Sequence, residues 1–169
     1  HFWARVVDAV QSANQNAGTL TLETVPEDIR SAFNTLRSST WSSDVNRLKE
    51  HGNYILDGVL IKVGGVHIKR PELITQLSDL AESSSFVLVS GERGYGKSSL
   101  IKVFADYVKE HHPIFCLRTE DLDRPHLDNA LSAMGLKISL GDLEAGFALM
   151  PKKYLIIESL EKLLELGNT

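Results

Sequence analysis

The stretch GERGYGKSS at residues 91–99 combines three glycines, one lysine and two serines. The spacing from Gly91 to Ser98 matches the pattern G-x-x-x-x-G-K-[ST]. Glycine takes positive φ at no steric cost, so Gly91, Gly94 and Gly96 would let successive backbone N–H groups turn inward around a phosphate. The stretch is therefore predicted to bind the phosphates of a nucleotide.

The polar residues of this loop have separate predicted roles. Lys97 is expected to reach the β- and γ-phosphates and to act in catalysis, and the Ser98 hydroxyl is expected to ligate Mg²⁺. The side chains of Arg93 and Tyr95 are expected to face solvent or the base. The predicted nucleotide-binding residues of the stretch are Gly91, Glu92, Arg93, Gly94, Tyr95, Gly96, Lys97, Ser98 and Ser99.

The elements on either side of the loop are the ones that such a site requires. Phe86–Val89 is a short apolar run, which predicts a strand buried on both faces. After Lys97, apolar residues recur at helical spacing, which predicts a helix opened by the loop; they are Leu100, Ile101, Phe104 and Val108. A helix N-terminus adds unsatisfied donors and a positive dipole end to a phosphate site.

Two acidic residues near the end of the chain are candidates for the second half of the site. Glu158 directly follows the apolar run YLII and is predicted to hold Mg²⁺ through its waters. Glu161, three residues later, is predicted to orient or deprotonate an attacking water. The alternatives are an ordinary surface acid at the end of a strand for Glu158 and a solvated helix charge for Glu161.

The rest of the second half predicts strands that alternate with helices. Residues 114–117 and 154–157 are predicted strands. Between them, the pattern predicts a helix that stops at Gly135 and another that is capped by Ser139 together with Asp142. Such alternation is typical of a parallel α/β sheet.

The first third of the chain predicts helices without a catalytic constellation. Residues 38–43 are predicted to be a connector with one buried aromatic residue, followed by a short helix that Ser43 or Asp44 caps and Gly52 closes. Residues 53–70 are predicted to be strand-like or irregular with a turn at Gly64–Gly65, and a helix is expected from Pro71 to Leu80. We therefore divide the chain into residues 1–60, a helical linker or the tail of an upstream domain, and residues 61–169.

Composition narrows the class of protein. The net charge of −4 argues against a broad nucleic-acid-binding surface, and no apolar run approaches a membrane span. Cys116 is the single cysteine, which fits a reducing cytoplasm. The chain starts at His1 and stops at Thr169, and both ends are expected to continue into a longer protein.

The motifs GERGYGKSS and LIIESLEK together resemble the nucleotide-binding domain of the STAND class, signal-transduction ATPases with numerous domains that are related to the AAA+ proteins. The second motif of that class is an apolar run, an acid, a small residue, an apolar residue and another acid. Here the two acids are Glu158 and Glu161, where aspartate is usual. The segment VHIKRPEL at residues 66–73 is similar to the apolar-G-R-E segment that packs near the adenine in this class, and only Arg70 transfers from it.

The resemblance implies an ATP-dependent switch with ATP or ADP and Mg²⁺ as its ligands. Its fold would be a P-loop NTPase parallel sheet with helices on both faces, which is incomplete here and preceded by a small helical segment. In that fold one further strand lies between the first and third strands and another flanks the first, so residues 1–169 alone are expected to lack turnover. The resemblance also implies self-association on activation, effector and sensor domains elsewhere, and signalling roles that include bacterial antiviral defence.

Two other classes of function stay open at this point. A scaffold module would hold ATP or ADP with little turnover, and the two glutamates at the acid positions keep that alternative alive. A small-molecule kinase would need a recognisable lid for the acceptor, and the sequence contains none. Neither the choice between ATP and GTP nor the activating signal follows from these residues.

Overall fold

A computed structural model describes residues 2–15, 24–37, 39–63, 65–67 and 69–162. The predicted turn residue Gly64 and the end of the chain from residue 163 lie outside the described residues. The helices are α1 (Phe2–Gln15), α2 (Glu27–Arg37), α3 (Ser39–Asp57), α4 (Pro71–Ser83), α5 (Lys97–Val108), α6 (Leu127–Ala133) and α7 (Leu140–Leu149), with a 3₁₀ turn at Thr119–Leu122. The strands are β1 (Lys62–Val63), β2 (Val66–His67), β3 (Ile114–Arg118) and β4 (Tyr154–Glu158).

The described residues therefore form a mixed α/β structure with seven α-helices and a small parallel sheet. β3 pairs with β4 in parallel, in a register that sets Ile114 beside Tyr154 and Arg118 beside Glu158. β1 and β2 form a separate antiparallel pair on either side of the predicted turn. None of the described helices is long and apolar enough to cross a membrane.

Packing divides the chain into two compact units. The first comprises the described parts of residues 1–48 and 121–153, and the second comprises those of residues 49–120 and 154–169. The predicted division into residues 1–60 and 61–169 concerns domains rather than packing, and it stays a prediction. All residues of the predicted site belong to the second unit.

The first unit is held by a buried aromatic residue and a buried carboxylate. The Trp41 ring lies so close to α7 that a Cβ added at Gly146 would be 2.1 Å from it. The Asp44 carboxylate is 3% exposed and accepts hydrogen bonds from the amides of Lys137 (2.6 Å) and Ile138 (2.8 Å). These contacts fix the chain between α6 and α7, where Ser139 caps α7 as predicted.

The core of the second unit joins three helices to one face of the parallel sheet. Ile55 and Leu56 of α3 pack with Ala105 of α5 and with Cys116 of β3. A second cluster of Leu77 from α4 with Phe104 and Val108 from α5 packs against partly buried apolar neighbours, which include Val87, Val89, Ile114 and Tyr154. Because successive strand residues point to opposite faces, Ile114, Cys116, Tyr154 and Ile156 define the face that the helices cover.

The predicted strand at residues 86–89 is absent from the described structure, and its predicted burial on both faces is wrong. Val87 and Val89 pack on the core, whereas Phe86 is 75% exposed and Leu88 is 63% exposed. The alternation is that of a strand with one solvated face. A strand also needs a hydrogen-bonded neighbour, and none of the described residues pairs with this segment.

The predictions for the described residues 39–57 are also wrong, and Ser38 lies outside the described residues. Residues 39–57 form one continuous helix, so neither a connector nor a cap occurs there, although Trp41 is the predicted buried aromatic residue. Asp44 lies inside α3 and caps distant amides instead of its own helix. Gly52 also lies inside α3 and does not end it. The absence of a side chain at this position lets the helix approach Cys116.

Candidate functional site

The predicted phosphate loop connects the segment 86–90 to the start of α5. Gly94 has φ of 85° and Gly96 has φ of 80°, values that residues with a side chain rarely adopt. A Cβ added at Gly94 would meet no atom of the described residues within 4 Å. The loop therefore needs glycine at this position for its backbone conformation and not for space.

Lys97, the first residue of α5, folds back over the loop. Its Nζ atom donates hydrogen bonds to the carbonyl oxygens of Gly91 (2.8 Å) and Glu92 (3.1 Å). These bonds hold the Lys97 ammonium against the loop. The ammonium lies at the N-terminus of α5, which is the positive end of the helix dipole. Lys97 therefore lies against the loop, and its predicted contact with phosphates stays a prediction.

Arg70 is the second cation beside the loop, although it lies 25 residues earlier. It occupies the N-cap position of α4, and its Nη1 atom donates a 2.6 Å hydrogen bond to the Tyr95 carbonyl oxygen. Its guanidinium lies 3.7–3.9 Å from the Cβ position of Gly96. The one arginine carried over from the resemblance is therefore in direct contact with the predicted loop.

The first turn of α5 has no side-chain cap and no acidic residue of its own. Its N-cap residue is Gly96, which has no side chain to accept a hydrogen bond from the first amides of the helix. The first amides of a helix have no acceptor inside the helix, so they are left as donors for a ligand. Ser99 donates a 2.8 Å hydrogen bond to the Leu60 carbonyl oxygen, which ties this turn to the segment before β1.

Ser98 and three loop side chains stand apart from these contacts. The Ser98 hydroxyl makes no hydrogen bond with any described residue and is half-buried at the start of α5. Glu92, Arg93 and Tyr95 are exposed, and for Arg93 and Tyr95 this agrees with side chains that face solvent. Ser98 is therefore free to serve a ligand without breaking an existing bond.

A cavity of about 600 Å³ adjoins the loop and is formed within the second unit. Its walls come from α4, α5, the loop and the segments before α4, and they are mostly apolar. The Ser78 Oγ atom, on one wall, is buried and has no hydrogen-bond partner among the described residues. The lining residues include Ile61, Arg70, Pro71, Ile74, Ser78, Gly96, Leu100, Val103 and Tyr107.

The two predicted acids lie at the carboxyl end of β4. Glu158 is the last residue of the strand and is half-buried, whereas Glu161 is exposed in the first helical turn beyond it. Neither carboxylate forms a hydrogen bond or ion pair with the loop or with any other described residue. Among the described residues, no group of three or more His, Cys, Asp or Glu side chains converges on a metal position. A Mg²⁺ held by one serine, one carboxylate, phosphates and waters would not need such a group.

An ion-pair cluster on α5 was not predicted from the sequence. The Lys102 Nζ atom bonds Asp57 of α3 (2.9 Å) and Asp106 (3.1 Å). Burial acts to lower the pKa of Lys102, but hydrogen bonds from its ammonium to the two carboxylates outweigh it and raise the pKa above 10.5. Asp57 and Lys102 are 45 residues apart, so no local pattern indicates their contact.

The donor set as a whole suits a phosphorylated anion. One lysine, one arginine, an uncapped helix start and a free serine hydroxyl surround a loop whose glycines hold positive φ. Comparisons with family models, with curated proteins and with solved structures found no match to this chain. The inference about function therefore depends on the residues and their geometry.

Proposed function

We propose that this chain is the nucleotide-binding part of an ATP-hydrolysing switch that belongs to a larger signalling protein of the STAND class. The observation that carries the proposal is the contact of Lys97 with the carbonyls of Gly91 and Glu92, in a loop that opens α5 with glycines at positive φ. Cytoplasmic location, self-association on activation, and effector and sensor domains elsewhere follow from the resemblance alone. A role in bacterial defence has the same basis.

The cavity beside the loop supports a nucleotide in preference to a simple phosphate. Its mostly apolar walls, with polar side chains that include Arg70, Ser78 and Asp79, are typical of a pocket for a planar base and a sugar. Arg70 adjoins both the cavity and the loop, so it can serve the junction between base and phosphates. We expect the base to lie between α4 and α5 and the phosphates at the start of α5.

The parallel pairing of β3 with β4 supports the finer fold, a P-loop NTPase sheet. Val87 and Val89 pack on the same cluster as Ile114 and Tyr154, as a neighbouring strand would. The resemblance places a further strand between the 86–89 segment and β4. Leu155 is 55% exposed and Ile157 is 39% exposed on the face of β4 that the helices of the unit leave uncovered.

The first experiment tests nucleotide binding by the full-length protein. Lys97→Ala should weaken binding of Mg²⁺–ATP by about 1.5–3 kcal/mol, because it removes a charge-assisted contact to phosphate. Calorimetric titration with ATP, ADP and GTP measures this loss and the base preference. Lys109→Ala is the matched control, since it removes an exposed lysine at the other end of α5. Equal affinities for ATP in wild type and Lys97→Ala would contradict the proposal.

The second experiment separates the hydrolysing switch from the scaffold. Glu161→Gln should slow turnover about 10²–10⁴-fold and spare ATP binding, because it removes a base for the attacking water. Glu158→Gln should weaken Mg²⁺-dependent binding. Binding that depends on Lys97 without turnover in the wild type would favour the scaffold. Equal effects of both glutamine variants on binding and on turnover would contradict the division of roles.

A further inference from the structure

Thr119 lies where the two strands of the parallel sheet end side by side. The register pairs Arg118, the last residue of β3, with Glu158, the last residue of β4. The residues that follow each strand are therefore neighbours as well. Thr119 follows β3 and Ser159 follows β4.

The Thr119 side chain is buried and uses its hydroxyl on the chain beyond β4. Thr119 is 0% exposed, and only Asp44 joins it among the buried polar residues of the described chain. Its Oγ1 atom is 2.7 Å from the Ser159 carbonyl oxygen and 3.3 Å from that of Glu158. A hydroxyl has one proton, so the shorter contact is the hydrogen bond that it donates.

Ser159 has an unusual backbone conformation at this point. Its φ is 62°, and it is the single non-glycine residue with positive φ in the part of the chain that the structure describes. Such a conformation persists when surrounding contacts stabilise it. The Ser159 carbonyl accepts from the Thr119 hydroxyl and from the Lys162 amide (3.0 Å), so both of its lone pairs are occupied.

A second contact joins the same two chain segments. The carboxylate of Glu120 forms an ion pair with the ammonium of Lys162. Thr119 and Glu120 thus hold Ser159 and Lys162, and the two predicted acids lie within or directly before that held turn. The direction in which the chain leaves β4 is set by these contacts.

We propose that Thr119 is a positioning residue for the predicted Mg²⁺ and water site. Its hydroxyl stabilises the left-handed conformation of Ser159 and so fixes where the backbone places Glu158 and Glu161. The proposal rests on the proposed function, because it gives those acids their roles. Thr119 acts through them and does not itself touch the nucleotide.

The test compares Thr119→Val with Thr119→Ser in the full-length protein. Valine keeps the shape and removes the hydroxyl, whereas serine keeps the hydroxyl and removes a methyl group. Thr119→Val should raise the Mg²⁺ concentration for half-maximal ATP binding or turnover about 10–100-fold, the usual effect of losing a residue that orients a metal ligand. ATP affinity without Mg²⁺ should stay unchanged, and Thr119→Ser should restore the Mg²⁺ dependence. Thr40→Val, at an exposed site on α3, is the control for the same change of atoms.

Ser159→Val gives an independent test that leaves Thr119 intact. A β-branched residue disfavours positive φ, so this variant should reproduce the Mg²⁺ shift of Thr119→Val. It also decides the question if Thr119→Val fails to fold. Ser159→Gly should shift the Mg²⁺ dependence less than Ser159→Val, because glycine accepts this conformation.

The outcomes separate this proposal from the proposed function. The positioning role alone would be overturned if Thr119→Val or Ser159→Val had the Mg²⁺ dependence of the wild type while Lys97→Ala still lost ATP affinity. Thr119→Ser as defective as Thr119→Val would assign the effect to packing of the methyl group and would also overturn it. A loss of ATP affinity in Thr119→Val that is equal with and without Mg²⁺ would also overturn the positioning role. Unchanged nucleotide affinity in Lys97→Ala would overturn the proposed function and this proposal together.

Discussion

Gly94 of the loop and Gly52 of α3 belong to the same unit, but they are glycine for different physical reasons. At Gly94 the φ of 85° disfavours a side chain, while a Cβ would meet nothing within 4 Å. At Gly52 the conformation is helical, but a Cβ would lie 2.6 Å from the backbone nitrogen of Cys116. One position is determined by local conformation and the other by a contact with β3, 64 residues later in the chain. Variants at the two positions should therefore separate ligand binding from stability.

The largest effect on stability is expected from Gly52→Ala. The added methyl group meets backbone, which cannot move aside as a side chain can, and overpacking of this kind destabilises by about 1–3 kcal/mol. Alanine regains about 1 kcal/mol of helix propensity, so the net loss should be up to about 2 kcal/mol. Denaturant unfolding measures it, and nucleotide affinity of the folded protein should be kept.

Gly58→Ala is the matched control for this variant. A Cβ at Gly58 would meet its nearest atom at 3.4 Å, an ordinary contact, so its stability should stay close to that of the wild type. Equal losses at the two positions would show that the approach of α3 to Cys116 does not limit residue 52. Packing would then not explain why residue 52 is glycine.

A smaller effect, in binding and not in stability, is expected from Gly94→Ala. Alanine in the left-handed region costs about 1–2 kcal/mol, which corresponds to roughly a tenfold loss of ATP affinity if binding requires this conformation. The exposed loop can relax without ligand, so the unfolding midpoint should not move. Calorimetric titration and denaturant unfolding of the same variant measure both quantities.

Gly94→Asn sharpens the same prediction. Asparagine tolerates the left-handed region better than alanine although it is larger, so it should retain more affinity than Gly94→Ala. If asparagine is worse than alanine, space around the bound ligand and not backbone conformation determines residue 94. Gly52 and Gly94 would then both be glycine because of limited space.

The smallest effect is expected from Glu120→Gln, which removes an exposed polar contact. The hydrogen bond from Lys162 holds the pKa of Glu120 below 4.5, and the same contact raises the pKa of Lys162 above 10.5. The contribution of Glu120 is complete above its unfolded pKa and is lost as the pH falls through its folded pKa. The contribution of Lys162 is complete below its unfolded pKa and is lost as the pH rises through its folded pKa.

At neutral pH the pair is therefore fully formed, but exposed ion pairs contribute little and are screened by salt. The unfolding midpoint of Glu120→Gln should match the wild type in high salt and fall slightly below it in low salt. A large loss that persists in high salt would show that this polar contact, like the packing at Gly52, carries stability.

Local patterns predicted those features of the fold that depend on neighbouring residues. The positive φ of Gly94 and Gly96 and the cap of α7 at Ser139 are of this kind. The roles of the loop residues and of the two acids stay predictions. The parallel pair of β3 with β4 also agrees with the predicted alternation of strands and helices.

The errors share a cause, which is contact between residues far apart in the chain. The local pattern predicts a helix end at Gly52 and a cap at Asp44, but distant partners determine both residues. The segment 86–89 has the composition of a strand, but composition does not supply the neighbour with which a strand must pair. Thr119 carries no signal in the sequence, since its partner is 40 residues away.

The burial of Cys116 makes this protein suited to chemical labelling. It is the single cysteine of the chain, and its side chain is 0% exposed against α3 and α5. A thiol reagent can reach it only when that packing opens, so the modification rate measures how often the core of the second unit is breached. The reaction takes place at one known atom, the Cys116 Sγ, so no cysteine has to be introduced for labelling. Rates with and without ATP would then show whether a ligand at the loop makes that opening rarer.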